Sequence, residues 1–471
     1  MIPVASIVPP RTLCFADVRA LLVFLIMLAV GACAQLDRLP AVGVADTDRA
    51  SVAGISAARF MASDTAALAA FGRRLYERES KYFSSLGRPI PAESLLAISG
   101  GGDDGAFGAG VLVGWSESRT RPSFKIVTGI STGALIAPLA FVGPDYDRLL
   151  AEMYTTIGQS DIFEKRPVLA GLVSDALADS RPLRNLIAKY LDANLVARIA
   201  EESRRGRALV IITTNLDAGV PVIWNIGAIA ESERPEAIGL IRKILLASAS
   251  IPGFFPPVMF DVTVNGVAHQ EMHVDGGASM QTFLYPAALQ VRQIPNGGGS
   301  RPRTAYVIRN GRLTQGWDEV ARSTPAIATR AVATLTTNSG VGDLYRIYAL
   351  AKRDGVRLQL AYIGDDFEQP HSAEFDRQYM VELFEYGRAK ARAGYPWRGR
   401  TSGVLMARPY QDARTSRKTR RKARPPLFHR CFTCCRRQPM VYCVDQHRYA
   451  ERVGQEDELL PSIGSAACRF P

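Results

Sequence analysis

Short apolar runs rich in β-branched residues alternate with longer helical patterns over residues 60–398, and this alternation constrains the fold more than any other feature. Such a chain is expected to form parallel strands covered by helices. The pattern therefore predicts an α/β layered fold. Candidate strands lie at Leu95–Ser99, Lys125–Ile130, Leu209–Leu216, Val222–Ile226, Thr304–Arg309 and Val356–Ile363. Candidate helices, with apolar residues at helical spacing, lie at Arg184–Ala200, Pro235–Ala249, Ala326–Lys352 and Glu374–Ala393.

The size and composition of the chain fit one globular body with accessory ends. Its 471 residues exceed the usual size of one domain, but a single α/β domain with insertions and appended ends reaches this length. Hydrophobic residues make up 47% of the chain, so folding can bury enough apolar surface to offset the lost entropy. This composition excludes a chain that is disordered throughout.

A glycine-rich loop follows the first candidate strand. The loop Ser99–Gly105 reads SGGGDDG, and the helical stretch Ala106–Trp115 comes directly after it. Glycines let backbone N–H groups turn towards one point at a helix N-terminus, where the helix dipole favours negative charge. A dinucleotide-binding fold presents the same loop, but it usually adds an acidic residue near the end of the second strand. Here the second strand ends in a serine motif instead.

The serine motif is Gly129-Ile130-Ser131-Thr132-Gly133, between an apolar strand and the apolar helix Ala134–Val142. Glycines on both sides of a serine permit the tight turn that exposes its hydroxyl at a helix N-terminus, which is the pattern of a nucleophile elbow. The motif and the glycine loop follow neighbouring strands, so the amides of Gly101 and Gly102 can face the atom that Ser131 attacks. That is the geometry of an oxyanion hole. The alternative is a serine in an ordinary tight turn.

A serine nucleophile needs a base, because its hydroxyl is a poor nucleophile at neutral pH. Only two histidines, His269 and His273, lie outside the tail and outside a loop near residue 371. Both precede Asp275, which stands at the end of a strand before two glycines and is placed to aim a carboxylate into a cleft. The alternative is a turn aspartate that only caps this segment. The full set of histidines is His269, His273, His371, His429 and His447.

Four motifs together resemble the patatin-like phospholipases. The glycine-rich loop, the Gly-Ile-Ser-Thr-Gly elbow, the segment Ala247–Pro257 (ASASIPGFFPP) and the triplet Asp275-Gly276-Gly277 occur in the order seen in that family. The resemblance extends from Leu95 to Ala393. It implies a three-layer α/β/α sandwich with a mostly parallel central sheet, and cleavage of acyl ester bonds in phospholipids and neutral lipids without a cofactor or a metal.

The resemblance also implies which residues act. Ser131 is the nucleophile and Asp275 is its base, so that His273 is structural or surface-facing rather than catalytic. The catalytic domain then occupies residues 60–398, with its motifs between 95 and 277. The glycines assigned to the oxyanion hole are Gly100, Gly101, Gly102 and Gly105, and those that flank the two motifs are Gly129, Gly133, Gly276 and Gly277.

One position departs from the family. The family often has Arg or Lys in the glycine loop where this chain has Asp104. An acidic side chain there weakens the positive potential that an oxyanion or a lipid phosphate favours. Asp103 and Asp104 are also expected to stabilise the following helix as N-terminal acids. Catalysis by backbone amides survives the change, whereas a preference for anionic phospholipids does not follow.

The N-terminus has the pattern of an export signal. The apolar run Ala20–Val30 follows Arg11 and Arg19 and is shorter than the ~20 residues needed to cross a bilayer. The residues that end at Cys33 resemble a bacterial lipobox, which predicts lipidation of Cys33 and a membrane-anchored or periplasmic protein. Residues 34–59 are then a tether. An ordinary export signal with an incidental cysteine is the alternative.

The C-terminal region, residues 399–471, differs from the rest in charge. It holds fifteen Lys or Arg against six Asp or Glu, which leaves nine of the chain's net +12. A basic tail can bind anionic lipid or nucleic acid, but a solvated disordered tail explains it as well, and no nucleic acid is expected as a partner. A shifted reading frame in the source also accounts for its composition. The residues Cys431, Cys434, Cys443 and His447 have a spacing that can hold zinc, although an export route argues against it.

Two other classes of function compete with a hydrolase. A membrane-tethered interaction protein that keeps the fold without activity has no chemical reason to retain both Ser131 and Asp275. A nucleotide-binding protein lacks the acidic ribose partner and the phosphate-binding lysine here. The expected partners are therefore membrane lipids or lipid esters as substrate, and a membrane surface reached through the lipid anchor.

Overall fold

The structure is a computed structural model that describes residues 37–166, 175–294, 301–314, 316, 319–371 and 373–397. Cys33 and the tail, including its cysteines, lie outside the described residues. The strands are β1 (Arg59–Met61), β2 (Glu93–Ile98), β3 (Ile126–Gly129), β4 (Glu164–Lys165), β5 (Ala178–Asp179), β6 (Ala208–Asn215), β7 (Val220–Asn225), β8 (Val258–Val264), β9 (Val267–Asp275), β10 (Arg303–Arg309) and β11 (Arg357–Tyr362).

The helices alternate with these strands in the first and last parts of the chain. They are α1 (Thr65–Ser85), α2 (Gly105–Glu117), α3 (Thr132–Val142), α4 (Asp147–Thr155), α5 (Gln159–Ile162), α6 (Arg181–Tyr190), α7 (Ala193–Arg204), α8 (Ile226–Glu231), α9 (Ala237–Ser248), α10 (Thr324–Asp354) and α11 (Arg377–Arg392).

Nine strands form one sheet, with the path β1-β7-β6-β3-β2-β10-β11 and with β8 and β9 attached through β6. The five strands β6, β3, β2, β10 and β11 are parallel to one another, whereas β1, β7, β8 and β9 join by antiparallel pairs. Parallel strands place their carboxyl ends at one edge of a sheet, where ligands bind in open α/β folds. The glycine loop after β2 and the serine motif after β3 therefore meet at that edge.

Alternate residues of the parallel strands pack against helices on opposite faces of the sheet. Leu96 and Ile98 of β2 belong to a core shared with α2, α3, α9 and α11. Leu95 and Ala97 belong to a second core with α10, and α1 covers the neighbouring strands on the same side. A strand buried on both faces reads as a continuous apolar run, which explains the sequence of β2. The three-layer α/β/α sandwich with a mostly parallel sheet is thus confirmed.

Two expectations about local structure are wrong. The helix predicted at Arg184–Ala200 is two helices, because the Asp192 side chain accepts a hydrogen bond from the Leu195 amide at 2.8 Å and starts α7 there. The tether predicted at 34–59 is incorrect for its described part. Ala50, Val52, Ile55 and Ala58 are buried in the core, and Ser51 pairs with Thr263 of β8, so the second half of this segment packs on the domain.

Within the described ranges, no helix is both long enough and apolar enough to cross a membrane.

Candidate active site

Ser131 lies in a sharp turn between β3 and α3. Its backbone has φ +55° and ψ −126°, an unfavourable region for a residue with a Cβ. The turn is tight because a Cβ at Gly129 would lie 2.4 Å from the Gly133 carbonyl oxygen, and one at Gly133 would lie 2.4 Å from the Ile98 carbonyl oxygen. Ser131 is also the N-cap residue of α3, so the positive end of the helix dipole faces its hydroxyl. These are the features of a nucleophile elbow.

Ser248, at the end of α9, locks this turn. Its hydroxyl accepts a hydrogen bond from the Ser131 amide at 3.1 Å and donates one to the Ile212 carbonyl oxygen at 2.7 Å. Two residues later, the Ser250 carbonyl oxygen accepts a bond from the Asp275 amide at 2.8 Å. The Ala247–Pro257 segment therefore holds Ser131 and Asp275 in position from one side.

Asn310, directly after β10, fixes the glycine loop from the other side. Its amide side chain donates to the Ser99 carbonyl oxygen at 2.9 Å and accepts from the Gly108 amide of α2 at 3.1 Å. A Cβ at Gly101 would lie 2.1 Å from the Asn310 carbonyl oxygen, so only glycine fits that position. The loop is consequently held between the end of β10 and the start of α2.

The glycine loop lies against Ser131, but its amides are not all available. A Cβ at Gly100 would lie 3.2 Å from the Ser131 Cβ, which places the loop beside the serine. The Gly100 amide donates to the Gln281 carbonyl oxygen at 3.0 Å, and the Gly105 amide donates to carbonyl oxygens of its own turn. Within the described part of the chain, the Gly101 and Gly102 amides have no acceptor. Of the four glycines predicted for the oxyanion hole, Gly101 and Gly102 thus have backbone amides that are free to donate to a substrate oxygen.

Asp275 lies at the end of β9 next to Ser131, and both side chains are buried, with 4% and 7% of their residues' surface exposed. Burial raises the pKa of Asp275 to about 7, although hydrogen bonding to the Ser131 hydroxyl and to the Gly277 amide lowers it. The Gly277 amide donates to the Asp275 carboxylate at 2.6 Å. A carboxyl with this pKa accepts a proton far more readily than an exposed aspartate at neutral pH.

His273 is buried, with 0% exposed, and it does not contact Ser131. Its Nδ1 lies 2.8 Å from the Thr213 hydroxyl and its Nε2 lies 3.1 Å from a carboxylate oxygen of Glu271. Burial lowers the pKa of His273, so the ring is neutral, and the Glu271 contact assigns its proton to Nε2. Of the two expected alternatives, structural and surface-facing, the structure selects the structural one.

The two acids of the glycine loop tie it to the C-terminal part of the domain. Asp103 accepts hydrogen bonds from His371 at 2.7 Å and from the Phe375 amide at 2.8 Å, and Asp104 accepts one from the Tyr379 hydroxyl at 2.6 Å. Burial raises the pKa of Asp104 to about 6, against the effect of the Tyr379 hydroxyl. Asp104 occupies the N-cap position of α2 but makes no side-chain hydrogen bond to its backbone, so stabilisation of this helix by the charge of Asp104 stays a prediction.

Three residues that hold the candidate site in place were not singled out from the sequence: Ser248, Gln281 and Asn310. Gln281 donates its side-chain amide to the Gly277 carbonyl oxygen at 2.9 Å, and its backbone accepts from Gly100. Ser248 lies in the segment Ala247–Pro257, which is one of the four motifs of the family resemblance. Its position in that segment was the only sequence feature that indicated a role in the site. Gln281 and Asn310 have no local pattern, because their role depends on contacts with distant strands.

Among the described residues, no group of three or more His, Cys, Asp or Glu side chains is placed to hold a metal ion. The fold brings the Ser131 hydroxyl and the Asp275 carboxyl into hydrogen-bond contact.

The chain was compared with known protein families, curated sequences and solved structures. Residues 96–288 match the model of a protein family described as patatin-like phospholipase. A search of curated protein sequences gave no match. Among solved structures, VipD from Legionella pneumophila has 13% identity over 65% of this chain and 68% of its own, with a TM-score of 0.30. Human GIVD cytosolic phospholipase A2 has 9% identity over 70% of this chain and 66% of its own, with a TM-score of 0.29.

The family match spans the parallel strands β2, β3 and β6, the glycine loop, the elbow at Ser131 and the Asp275-Gly276-Gly277 triplet. The sequence motifs and the sheet topology agree with this match, in which residues 96–288 are similar to the patatin-like phospholipases.

Proposed function

We propose that the protein is a serine carboxylic ester hydrolase that cleaves acyl esters of membrane lipids, of the phospholipase A or lipase type. In this proposal Ser131 is the nucleophile, Asp275 is its general base, and the Gly101 and Gly102 amides form the oxyanion hole. The match to the patatin-like phospholipase family supports lipid acyl hydrolysis in general.

One observation carries the proposal: a serine at positive φ on a helix N-terminus adjoins a buried carboxyl whose pKa is raised to about 7. Backbone strain at a non-glycine residue persists only where surrounding contacts hold it, and such strain is concentrated at functional sites. A buried carboxyl with few hydrogen-bond donors is likewise costly for stability. Both costs are explained if these two residues carry out the reaction.

Acylation follows from the geometry. The Asp275 carboxylate takes the proton of the Ser131 hydroxyl while the serine oxygen forms a bond to the ester carbonyl carbon. The carbonyl oxygen becomes an oxyanion, which the Gly101 and Gly102 amides and the N-terminus of α3 stabilise. The carbon–oxygen bond to the alcohol then breaks, and Asp275 returns the proton to the leaving alkoxide. An acyl ester of Ser131 remains.

Deacylation uses the same groups in reverse. Asp275 takes a proton from a water molecule, the hydroxyl attacks the acyl carbonyl, and the same amides hold the second oxyanion. The bond to the Ser131 oxygen breaks, and that oxygen regains the proton from Asp275. The products are a fatty acid and the free enzyme.

Covalent labelling tests the proposal on the full chain. The native protein should hydrolyse p-nitrophenyl butyrate and should be labelled at Ser131 by a fluorophosphonate, with the site found by peptide mass spectrometry. The variant S131A should do neither. A folded native protein that hydrolyses no soluble ester and takes no label would favour the non-catalytic interaction protein and would contradict the proposal.

We also propose that the protein is exported and reaches the membrane through a lipid on Cys33. The support is the short apolar run Ala20–Val30 followed by small residues and a cysteine. Mass spectrometry of the mature N-terminus should find a diacylated peptide beginning at Cys33. An unmodified peptide that begins at another residue would contradict the lipid anchor. Simple export to the periplasm would then be the remaining interpretation.

A further inference from the structure

The side chain of Gln281 lies between the proposed nucleophile and the proposed base. A Cβ at Gly100 would lie 3.2 Å from the Gln281 Oε1 and also 3.2 Å from the Ser131 Cβ. A Cβ at Gly277 would lie 2.7 Å from the Gln281 Nε2 and 3.0 Å from a carboxylate oxygen of Asp275. The oxygen end of this carboxamide therefore adjoins the serine, and its nitrogen end adjoins the aspartate.

The contact with Gly277 fixes which way the carboxamide points. The Gln281 Nε2 donates to the Gly277 carbonyl oxygen at 2.9 Å. A carbonyl oxygen only accepts hydrogen bonds, so the nitrogen must face Gly277 and the oxygen must face Gly100. Among the described residues, no group donates to the Gln281 Oε1, and this oxygen is still accessible to solvent. The site thus contains a hydrogen-bond acceptor that the protein itself does not use.

The backbone of Gln281 is held independently of its side chain. Its amide donates to the Asp343 carboxylate at 2.6 Å, and its carbonyl oxygen accepts from the Gly100 amide at 3.0 Å. Substitution of the side chain leaves both of these contacts in place. The side chain adds the bond to Gly277, which uses only its nitrogen, so the placement of Oε1 in the site is not explained by support of the loop.

The two halves of the proposed reaction differ in the number of protons on the oxygen that attacks. In acylation, the Ser131 hydroxyl gives its only proton to Asp275. In deacylation, the attacking water has two protons, of which Asp275 takes one and the other stays on the oxygen. An O–H group in a largely buried site needs an acceptor, because a buried donor without a partner is costly. Deacylation therefore needs one acceptor more than acylation.

We propose that the Gln281 Oε1 is this acceptor, and that it orients the hydrolytic water for attack on the acyl ester of Ser131. This inference rests on the proposed function. The water oxygen bonds to the acyl carbon while Asp275 takes one proton, and the bond from that carbon to the Ser131 oxygen then breaks as the serine regains the proton. The second proton stays hydrogen-bonded to Oε1 and leaves on the fatty acid. No covalent bond of Gln281 changes.

The proposal predicts a preference for water over alcohols as the acyl acceptor. An alcohol gives its only proton to Asp275 and has no second O–H for the Gln281 Oε1. Loss of this oxygen should therefore slow attack by water more than attack by an alcohol. The bond from Nε2 to Gly277 does not distinguish the two acceptors, since it supports the Asp275 segment and Asp275 serves both.

Partition of the acyl-enzyme between water and methanol tests this assignment on the full chain. Hydrolysis of p-nitrophenyl butyrate at a fixed methanol concentration yields butyrate and methyl butyrate, which gas chromatography quantifies. In the variant Q281M, which keeps the length of the side chain without its polar atoms, the ratio of methyl butyrate to butyrate should rise about 3- to 10-fold. The ratio depends neither on the rate of acylation nor on the amount of folded enzyme. The variant Q281L should give the same rise if Q281M does not fold.

The matched control is S248A, which removes the hydroxyl that accepts from the Ser131 amide at 3.1 Å. It should slow formation of both products and leave their ratio at the native value. A native ratio in the folded Gln281 variants would overturn the assignment. An equal rise in S248A would also overturn it, because the ratio would then report any disturbance of the site.

Failure of this inference is distinguishable from failure of the proposed function. If the native protein releases no p-nitrophenol and takes no fluorophosphonate label at Ser131, the proposed function itself fails. If the native protein does both and Q281M keeps the native ratio of products, only the role of Gln281 is wrong.

Discussion

Two acidic residues of β9, four positions apart, have opposite environments. Burial alone would raise the pKa of Glu271, but hydrogen bonds from His273 and Arg59 outweigh it and lower that pKa to about 2. Asp275 is buried beside a hydroxyl and one backbone amide, and its pKa is raised to about 7. Glu271 is therefore a fixed anion, whereas Asp275 is a group that can gain and lose a proton near neutral pH.

The partners of Glu271 form a closed network. The Trp224 ring nitrogen donates to the Thr213 hydroxyl at 2.7 Å, which lies 2.8 Å from His273, and His273 lies 3.1 Å from Glu271. Arg59 completes it with two contacts to the Glu271 carboxylate. A satisfied network stabilises one structure, whereas an under-satisfied carboxyl is available for chemistry. Substitution of Asp275 is therefore expected to reduce activity, whereas substitution within the Glu271 network is expected to reduce stability.

The largest expected effect is on activity. Ser131→Ala and Asp275→Asn should each reduce kcat/KM for p-nitrophenyl butyrate by about 10⁴-fold or more, because nucleophile and base act as one unit. The double variant should be no worse than the single ones. Circular dichroism and thermal melting check the fold. Activity of folded Asp275→Asn within tenfold of native would show that another group is the base.

The next effect is on stability. Arg59→Met leaves Glu271 charged and buried with only His273 as its partner, so the free energy of unfolding should fall by about 3–5 kcal/mol. Denaturant unfolding measures it. The matched control Arg78→Met removes a pair with Glu231 whose arginine is 45% exposed, and it should cost less than about 1 kcal/mol.

Activity of the folded Arg59→Met variant, assayed well below its melting temperature, should stay close to native, because the network does not contact Ser131. A loss of activity comparable to that of Asp275→Asn would show that the two sites are coupled. The proposed separation of roles would then be wrong.

The pH dependence of the two sites should also differ. Asp275 must be ionised to act as a base, so kcat/KM for the soluble ester should rise about tenfold per pH unit below 7 and level off above it. Glu271 has a pKa of about 2 and contributes no step in that range. A flat profile between pH 5 and 8, measured where the protein is folded, would contradict the assignment of Asp275.

The pH dependence of stability is a second test of the raised pKa of Asp275. The folded-state pKa of Asp275 is raised above the usual value of 3.8, so its contribution to stability is fully present below that value and is lost as the pH rises through about 7. Asn cannot ionise. Asp275→Asn should therefore gain stability over the native protein between pH 4 and 8, by at most about 4 kcal/mol. A difference that does not change with pH would exclude the raised pKa.

The part of the fold that the sequence predicts is the part set by local pattern. All six predicted strands are present. Five of them are the parallel strands, which are continuous apolar runs because both of their faces are buried, and the sixth is the antiparallel β7. The elbow at Ser131 is marked by glycines that its tight turn requires. The antiparallel additions β1, β8 and β9 were not predicted as a group, since their pairing depends on distant partners.

Local sequence patterns could not decide the roles of His273 and Asp104 either, because these roles also depend on contacts with distant residues. A histidine two residues before Asp275 is consistent with a catalytic triad until Thr213 and Glu271 are seen to occupy both ring nitrogens. In the sequence, Asp104 is only an acidic residue at a position where the family often has Arg or Lys. The structure shows that it binds the hydroxyl of Tyr379, which lies 275 residues later in the chain. Local patterns thus indicated the candidate residues Ser131 and Asp275, whereas long-range contacts decided which of their neighbours are structural.

The smallest expected effect concerns the Tyr379–Asp104 contact, which holds the glycine loop to α11. Burial raises the pKa of Asp104 to about 6, and the Tyr379 hydroxyl opposes this by stabilising the ionised form. Tyr379→Phe should therefore reduce the free energy of unfolding by about 1–2 kcal/mol above pH 6, and by less below it, where the carboxyl is protonated and needs the donor less. The matched control is Tyr386→Phe, whose hydroxyl binds the exposed Asp366 at 2.6 Å and should cost less. Denaturant unfolding of both variants at pH 5 and pH 8 makes the measurement. If Tyr379→Phe cost the same at both pH values, Asp104 would be ionised throughout, and its raised pKa would be excluded.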